Sequence, residues 1–231
     1  MQSAQVPLPA DPPEISQAQE SHQALWEASL KRQLNALRVE ILQIAPALLA
    51  ARSGGDLVPN GLRLMYWGRP CDFALPELTA SDPASGQALS QMDTLLLLYY
   101  LRTADGTPLA DRWVSFRELL GGMFYHQAFQ GYTGDRLAKI FDPDPGCFQT
   151  AAIALNGVCL TNVGDFAFAF QVLPRLRLAA LFWPGDDEFQ SRASILFDTS
   201  SLHYMVLDGL AVLGARLVSQ FEKLQGNQVS R

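Results

Sequence analysis

Residues 166–183 read FAFAFQVLPRLRLAALFW, and this stretch decides the fold. Phe166, Phe168, Phe170 and Val172 alternate with Ala167, Ala169 and Gln171. That period of two is the pattern of a strand. Pro174 breaks the run, because proline lacks the N–H a ladder needs. Residues 176–183 then form a second strand and residues 193–197 a third. Pro184-Gly185-Asp186-Asp187 supplies the turn between them.

Helices flank these strands. Downstream, Leu210, Leu213, Leu217, Phe221 and Leu224 share one face of a helix over residues 209–224, with Asp208 as N-cap. Far upstream, Trp26, Leu30, Leu34, Leu37, Ile41, Ile44 and Leu48 recur every three or four residues. They predict a long helix over 21–45, which Pro46 interrupts, and a short one over 46–52 that stops at Ser53-Gly54-Gly55. Residues 62–67 and 71–75 read as a hairpin around Gly68-Arg69-Pro70. Residues 90–102 are apolar nearly all round and predict a buried helix. Ser115 and Glu118 have capping-box spacing, with Val114 and Leu119 as its hydrophobic staple, so a helix should start there and end at Gly121-Gly122. Three more short helices are expected over 125–130, 134–141 and 147–155. The sum is a disordered proline-rich leader over 1–20, one α+β domain over 21–225 with an antiparallel sheet packed against helices, and a frayed tail over 226–231.

Composition narrows the function classes. The chain has 231 residues, 48% of them hydrophobic and 17% charged, which suits a folded body with a sizeable core. A net charge of −6 argues against nucleic acid or anionic lipid as the main partner. The longest apolar run, Leu95–Leu101, is far short of the roughly 20 residues that span a bilayer. Three widely separated cysteines exclude a disulfide scaffold and any CxxC pair. With no signal-peptide pattern at the start, the reading is a soluble cytoplasmic protein with reduced thiols and no membrane partner.

Candidate site residues come from the C-terminal third. Asp186, Asp187 and Glu188 crowd one turn, and Asp198 and Asp208 follow. Carboxylates at strand ends can ligate a hard cation or serve as acid and base. They can equally sit in a solvated turn, cap a helix or bond backbone N–H groups to hold a loop. His22, His126 and His203 have no second ligand three or four residues away, so no zinc signature exists and no metal ligand set is assigned. There is no GxSxG, GxGxxG or Walker pattern, and no catalytic residue is assigned. The aromatics, Trp183 and Tyr204 among them, fit a core or an aromatic-lined cavity.

Several strings together carry a resemblance. They are Trp183-Pro184-Gly185-Asp186-Asp187-Glu188-Phe189, Ile195-Leu196-Phe197-Asp198, His203-Tyr204, and Asp208 before a helix. Upstream, Leu98-Tyr99-Tyr100-Leu101, Trp113-Val114-Ser115-Phe116-Arg117-Glu118-Leu119 and Gly121-Gly122 add to it. Over most of residues 22–222 the chain resembles the DUF3786 family, a domain of undefined function common in bacteria and archaea with anaerobic or corrinoid-related metabolism. Two departures stand out. Nothing here matches the cysteine-rich iron–sulphur segment of some relatives, and Asp208-Gly209 stands where many have an acidic pair. The resemblance implies a cytoplasmic binding module for a cofactor or metabolite, held between sheet and helices, with Trp183, Asp187, Glu188, Asp198, His203 and Tyr204 near the rim. A corrinoid or another tetrapyrrole is the ligand class it suggests, with no cofactor assigned. Two other classes stay open: a metal-dependent enzyme using Asp186, Asp187, Glu188 and Asp198, and a protein-interaction domain with an exposed apolar patch.

Overall fold

The structure, a computed structural model, describes residues 13–142, 144, 146–161, 163–164 and 166–229, with side chains described between 24 and 226. The chain starts with α1 (Pro13–Ile41) and α2 (Pro46–Ser53). Four short strands follow: β1 (Asp56–Val58), β2 (Gly61–Tyr66), β3 (Arg69–Ala74) and β4 (Thr79–Ser81). Then come α3 (Gln91–Thr103), β5 (Trp113–Ser115) and two single 3-10 turns, Phe116–Glu118 and Gly122–Phe124. Helices α4 (His126–Tyr132), α5 (Gly134–Phe141) and α6 (Gly146–Ala154) lead to β6 (Val158–Cys159), β7 (Phe166–Leu173), β8 (Leu176–Trp183) and β9 (Arg192–Asp198). A 3-10 turn at Ser201–His203 precedes α7 (Leu207–Val229).

This is a single α+β domain, with two antiparallel sheets where the sequence suggested one. Their orders are β1-β2-β3-β4 and β5-β9-β8-β7-β6. The expected hairpin is β2–β3, but its turn is Trp67-Gly68, with φ of 51° and 74°. Two successive positive φ values make the primed turn that suits the strand twist. Pro70 falls inside β3, beyond the reach of β4, where a missing N–H breaks no ladder bond on that side.

The alternation in β7 and β8 sorts large residues inward. Phe168, Phe170 and Phe182 meet Phe148 of α6, Phe141 of α5 and Phe221 of α7, with ring centroids 5.2–6.1 Å apart. The opposite face carries Ala167, Ala179 and Leu181, covered by Trp113, Leu160, Val163, Trp183 and Leu196. On α1, Leu30, Leu34, Leu37 and Ile41 are buried as their spacing predicts, but Trp26 is 50% exposed. In α2 the buried leucine is Leu49, and Leu48 faces out.

Boundaries moved at several places. Helix α1 begins at Pro13 and not near 21; residues 1–12 of the expected leader lie outside the described residues. Helix α7 runs to Val229, and the last two residues of the expected tail lie outside the described residues. Asp208 sits in the first turn of α7, not at its cap. The capping box at Ser115 forms, with Ser115 N–H donating to Glu118 at 2.8 Å. It opens a 3-10 turn instead of an α-helix, because Leu119 is already extended (ψ 145°) and Gly122 packs against the Phe116 carbonyl. No single helix among the described residues is long and apolar enough to cross a membrane.

Candidate functional site

The sheet register divides the six candidate residues into two groups. Trp183 pairs with Arg192, whereas Leu178 pairs with Phe197. Asp198 lies six residues beyond Arg192 along β9, so the two ends are roughly 20 Å apart at about 3.3 Å per residue. Trp183, Asp187 and Glu188 stand at one end. Asp198, His203 and Tyr204 stand at the other.

The second group clamps the loop between α3 and β5. Asp198 is fully buried and accepts five hydrogen bonds. Ala110 N–H (3.1 Å), Ser200 N–H (2.9 Å) and Ser200 Oγ (2.7 Å) donate to Oδ1. Asp111 N–H (2.9 Å) and Arg177 (3.2 Å) donate to Oδ2. Burial pushes this carboxyl's pKa up, but the bonds from Ser200, Ala110 and Asp111 outweigh that and leave it below the usual range. Arg177 also pairs with Asp111 and lies 5.6 Å over the Trp113 ring. His203 Nδ1 meets Asp105 at 2.6 Å, which with the Thr107 N–H holds Asp105 down to about 2. The buried Tyr204 donates its hydroxyl to the Thr107 carbonyl and lies beside Tyr100. Tyr100 in turn donates to Ser53 O at 2.6 Å and accepts from Arg175 N–H at 2.9 Å. All three residues therefore fasten loop backbone or loop side chains.

The first group belongs to the loop joining β8 and β9. Asp186 builds that loop: its Oδ1 accepts from Glu188 N–H (2.9 Å) and Phe189 N–H (2.8 Å), and those bonds hold its carboxyl below the usual range. Gly185 lets the loop close, since a Cβ there would lie 2.7 Å from Phe189 O and Ser191 N. Asp187 and Glu188 are left exposed. Beside the loop runs an open groove of about 1290 Å³. Trp183, Glu188, Phe189 and Arg192 line one wall, and Asp135 and Lys139 of α5 with Asp142 just past its end line the other. Gln130 ties the walls, donating to Asp135 (2.8 Å) and to Ala193 O (2.9 Å). Gly134 permits this approach, because a Cβ there would sit 2.3 Å from Ala193 O.

The strings that build both ends fall inside one matched segment. A family model described as a domain of unknown function (DUF3786) matches residues 45–220. The chain belongs to the DUF3786 family. Among curated proteins and solved structures, nothing matches the chain. In this DUF3786 chain the tryptophan and acidic string form the groove loop, and the Leu-Phe-Asp string delivers the buried Asp198.

No group of three or more His, Cys, Asp or Glu side chains able to hold a metal ion occurs among the described residues. Asp198 stands apart from Asp186, Asp187 and Glu188, so these four carboxylates do not converge. His126 bonds the Met123 carbonyl at 2.7 Å, and the side chain of His22 lies outside the described residues. Sequence reading missed the α5 wall. Its signal was present: Leu137, Ala138 and Phe141 are buried, which leaves Asp135, Lys139 and Asp142 on the remaining surface. What faces that surface is set by β9, which no spacing within α5 reports.

Proposed function

We propose that this DUF3786 chain is a binding module for a cofactor-sized small molecule, held in the groove between α5 and the β8–β9 loop. The groove itself is the observation that carries the reading. It exceeds the roughly 300–1,000 Å³ of ordinary small-ligand pockets, and it combines aromatic surface with charged groups of both signs. Phe189 stands 65% exposed at its edge, an aromatic side chain that a bound ligand would cover. A flat macrocycle with polar substituents, a corrinoid or another tetrapyrrole, suits such a surface. Its ring would lie toward Trp183 and Phe189, with Asp135, Lys139, Glu188 and Arg192 meeting its substituents. The module's compartment in this proposal is the cytoplasm, in line with three free cysteines, Cys71, Cys147 and Cys159.

The test is co-elution and absorbance titration with hydroxocobalamin, and in parallel with haemin. The proposal expects a saturable spectral change with one of them, weakened at least tenfold by Phe189→Ala combined with Lys139→Ala. Both positions are surface-facing, so folding should be unaffected. No saturable change with either probe, or a change that the double variant leaves intact, overturns it. The exposed cluster of Leu120, Met123, Phe124 and Tyr125 is the observation that favours a second reading, a protein-interaction domain.

A further inference from the structure

A second concavity lies away from the groove and shares no lining residue with it. It is a recess of about 390 Å³ between α1, β4 and the start of α3. We propose that this recess binds a phosphate group, either free or carried on a small organic molecule. Three independent observations converge on it.

The first is charge. Lys31 and Arg38 line the recess, and no described carboxylate does, although the whole chain carries −6. Asp93 shares the first turn of α3, but its carboxylate is taken up by Ser90, Tyr66 and Arg216. The second is the helix terminus. Helix α3 has 13 residues and is capped by Ser90, whose Oγ accepts from Asp93 N–H at 3.0 Å. The N–H groups of Gln91 and Met92 have no acceptor among the described residues. These are the orphan donors of a first turn, at the positive end of the helix dipole. The third is a pair of polar groups with nothing to bond. Thr94 lines the recess, is only 7% exposed, and its hydroxyl has no partner among the described residues. In a helix such a hydroxyl ordinarily bonds the carbonyl four residues back, as Thr103 and Thr133 do here. Arg38 Nε is buried and has no partner among the described residues. A buried donor without a partner is costly, and a tetrahedral anion supplies acceptors for Arg38 Nε and for the Thr94 hydroxyl on the recess wall at once. Leu34 and Ala80 form the apolar floor, which leaves room for the organic part of an ester.

The experiment is a thermal-melt titration of the full chain with sodium phosphate and with glycerol 3-phosphate, at ionic strength held constant with sodium chloride. A ligand that binds only the folded state raises the melting temperature in proportion to the logarithm of its concentration. The proposal expects such a rise with phosphate or its ester, and none with chloride alone. Saturation at lower ester concentration would assign the organic phosphate as the source. Saturation by both at the same concentration would assign free phosphate. Lys31→Gln, on the exposed face of α1, should weaken the apparent affinity about tenfold. Thr94→Val should also weaken it, while leaving the ligand-free melting temperature unchanged or raised, since the hydroxyl it removes is unpaired. The proposal is overturned by equal rises with chloride and phosphate, by a phosphate effect that survives both substitutions, or by a ligand-free Thr94→Val protein that melts lower.

Discussion

Asp198→Asn tests whether the buried carboxylate at the end of β9 holds a loop. The asparagine amide can keep the three bonds to Oδ1, from Ala110, Ser200 N–H and Ser200 Oγ. It replaces Oδ2 with an NH₂ that faces Asp111 N–H and Arg177, two donors it cannot accept from. Both lost bonds end on the ionised carboxylate, and a hydrogen bond to a charged group contributes about 1.5–3 kcal/mol, so losing the two costs about 3–6 kcal/mol. For a chain of this size that is a fall in melting temperature of roughly 6–24 °C. The assay is urea unfolding followed by far-UV circular dichroism, comparing midpoint and slope with the wild type at pH 7. The pH dependence has a definite sign. Asp198's folded pKa lies below its unfolded value, so its stabilisation is present above about pH 3.9 and lost as pH falls through the folded value. The difference between wild type and Asp198→Asn must therefore narrow below about pH 4. A cost under about 1 kcal/mol at pH 7, or a gap that widens on acidification, refutes the clamp.

Three further outcomes follow from the same geometry. Asp105 should titrate near 2 by carboxyl-carbon NMR and move up toward the ordinary carboxylate range in His203→Ala, because the Nδ1 bond is the main cause of its depression. The stability it contributes is thus present at neutral pH and lost as pH falls toward 2. Tyr66→Phe removes the hydroxyl that bonds Asp93 (2.8 Å) and Arg216 (2.7 Å) where β2, α3 and α7 meet; urea unfolding should register a loss of about 1–2 kcal/mol. Gly134→Ala forces α5 away from the Ala193 carbonyl, and a thermal melt should show a loss of about 1–3 kcal/mol, with the groove's far wall displaced.

The local pattern was enough wherever one element's own residues dictate its form. The Phe-Ala alternation of β7 specifies which residues share a face, and the leucine run of α3 predicts its burial on nearly every side. The limits of α5 and β8 are those their sequences predict. Where form depends on a partner strand, the pattern is silent. β1, β4 and β5 have three residues each and are strands because β2, β3 and β9 supply the other half of every hydrogen bond. Trp26 shows the converse: its spacing matches the buried face of α1, but it stays half-exposed.

The candidate site divides along the same line. The sequence by itself determined the α+β class, the family, and the set of residues worth inspecting, because periodicity, turn chemistry and fixed strings are properties of neighbours along the chain. Only the tertiary structure decided what those residues do. An antiparallel hairpin carries its two ends as far apart as its strands are long, and that sends Trp183 and Glu188 to a groove and Asp198 to a buried clamp. The α5 wall opposite Trp183, and the meeting of Lys31 and Arg38 with the start of α3, join residues tens of positions apart. Such pairings exist only once the chain has closed its loops around a common core.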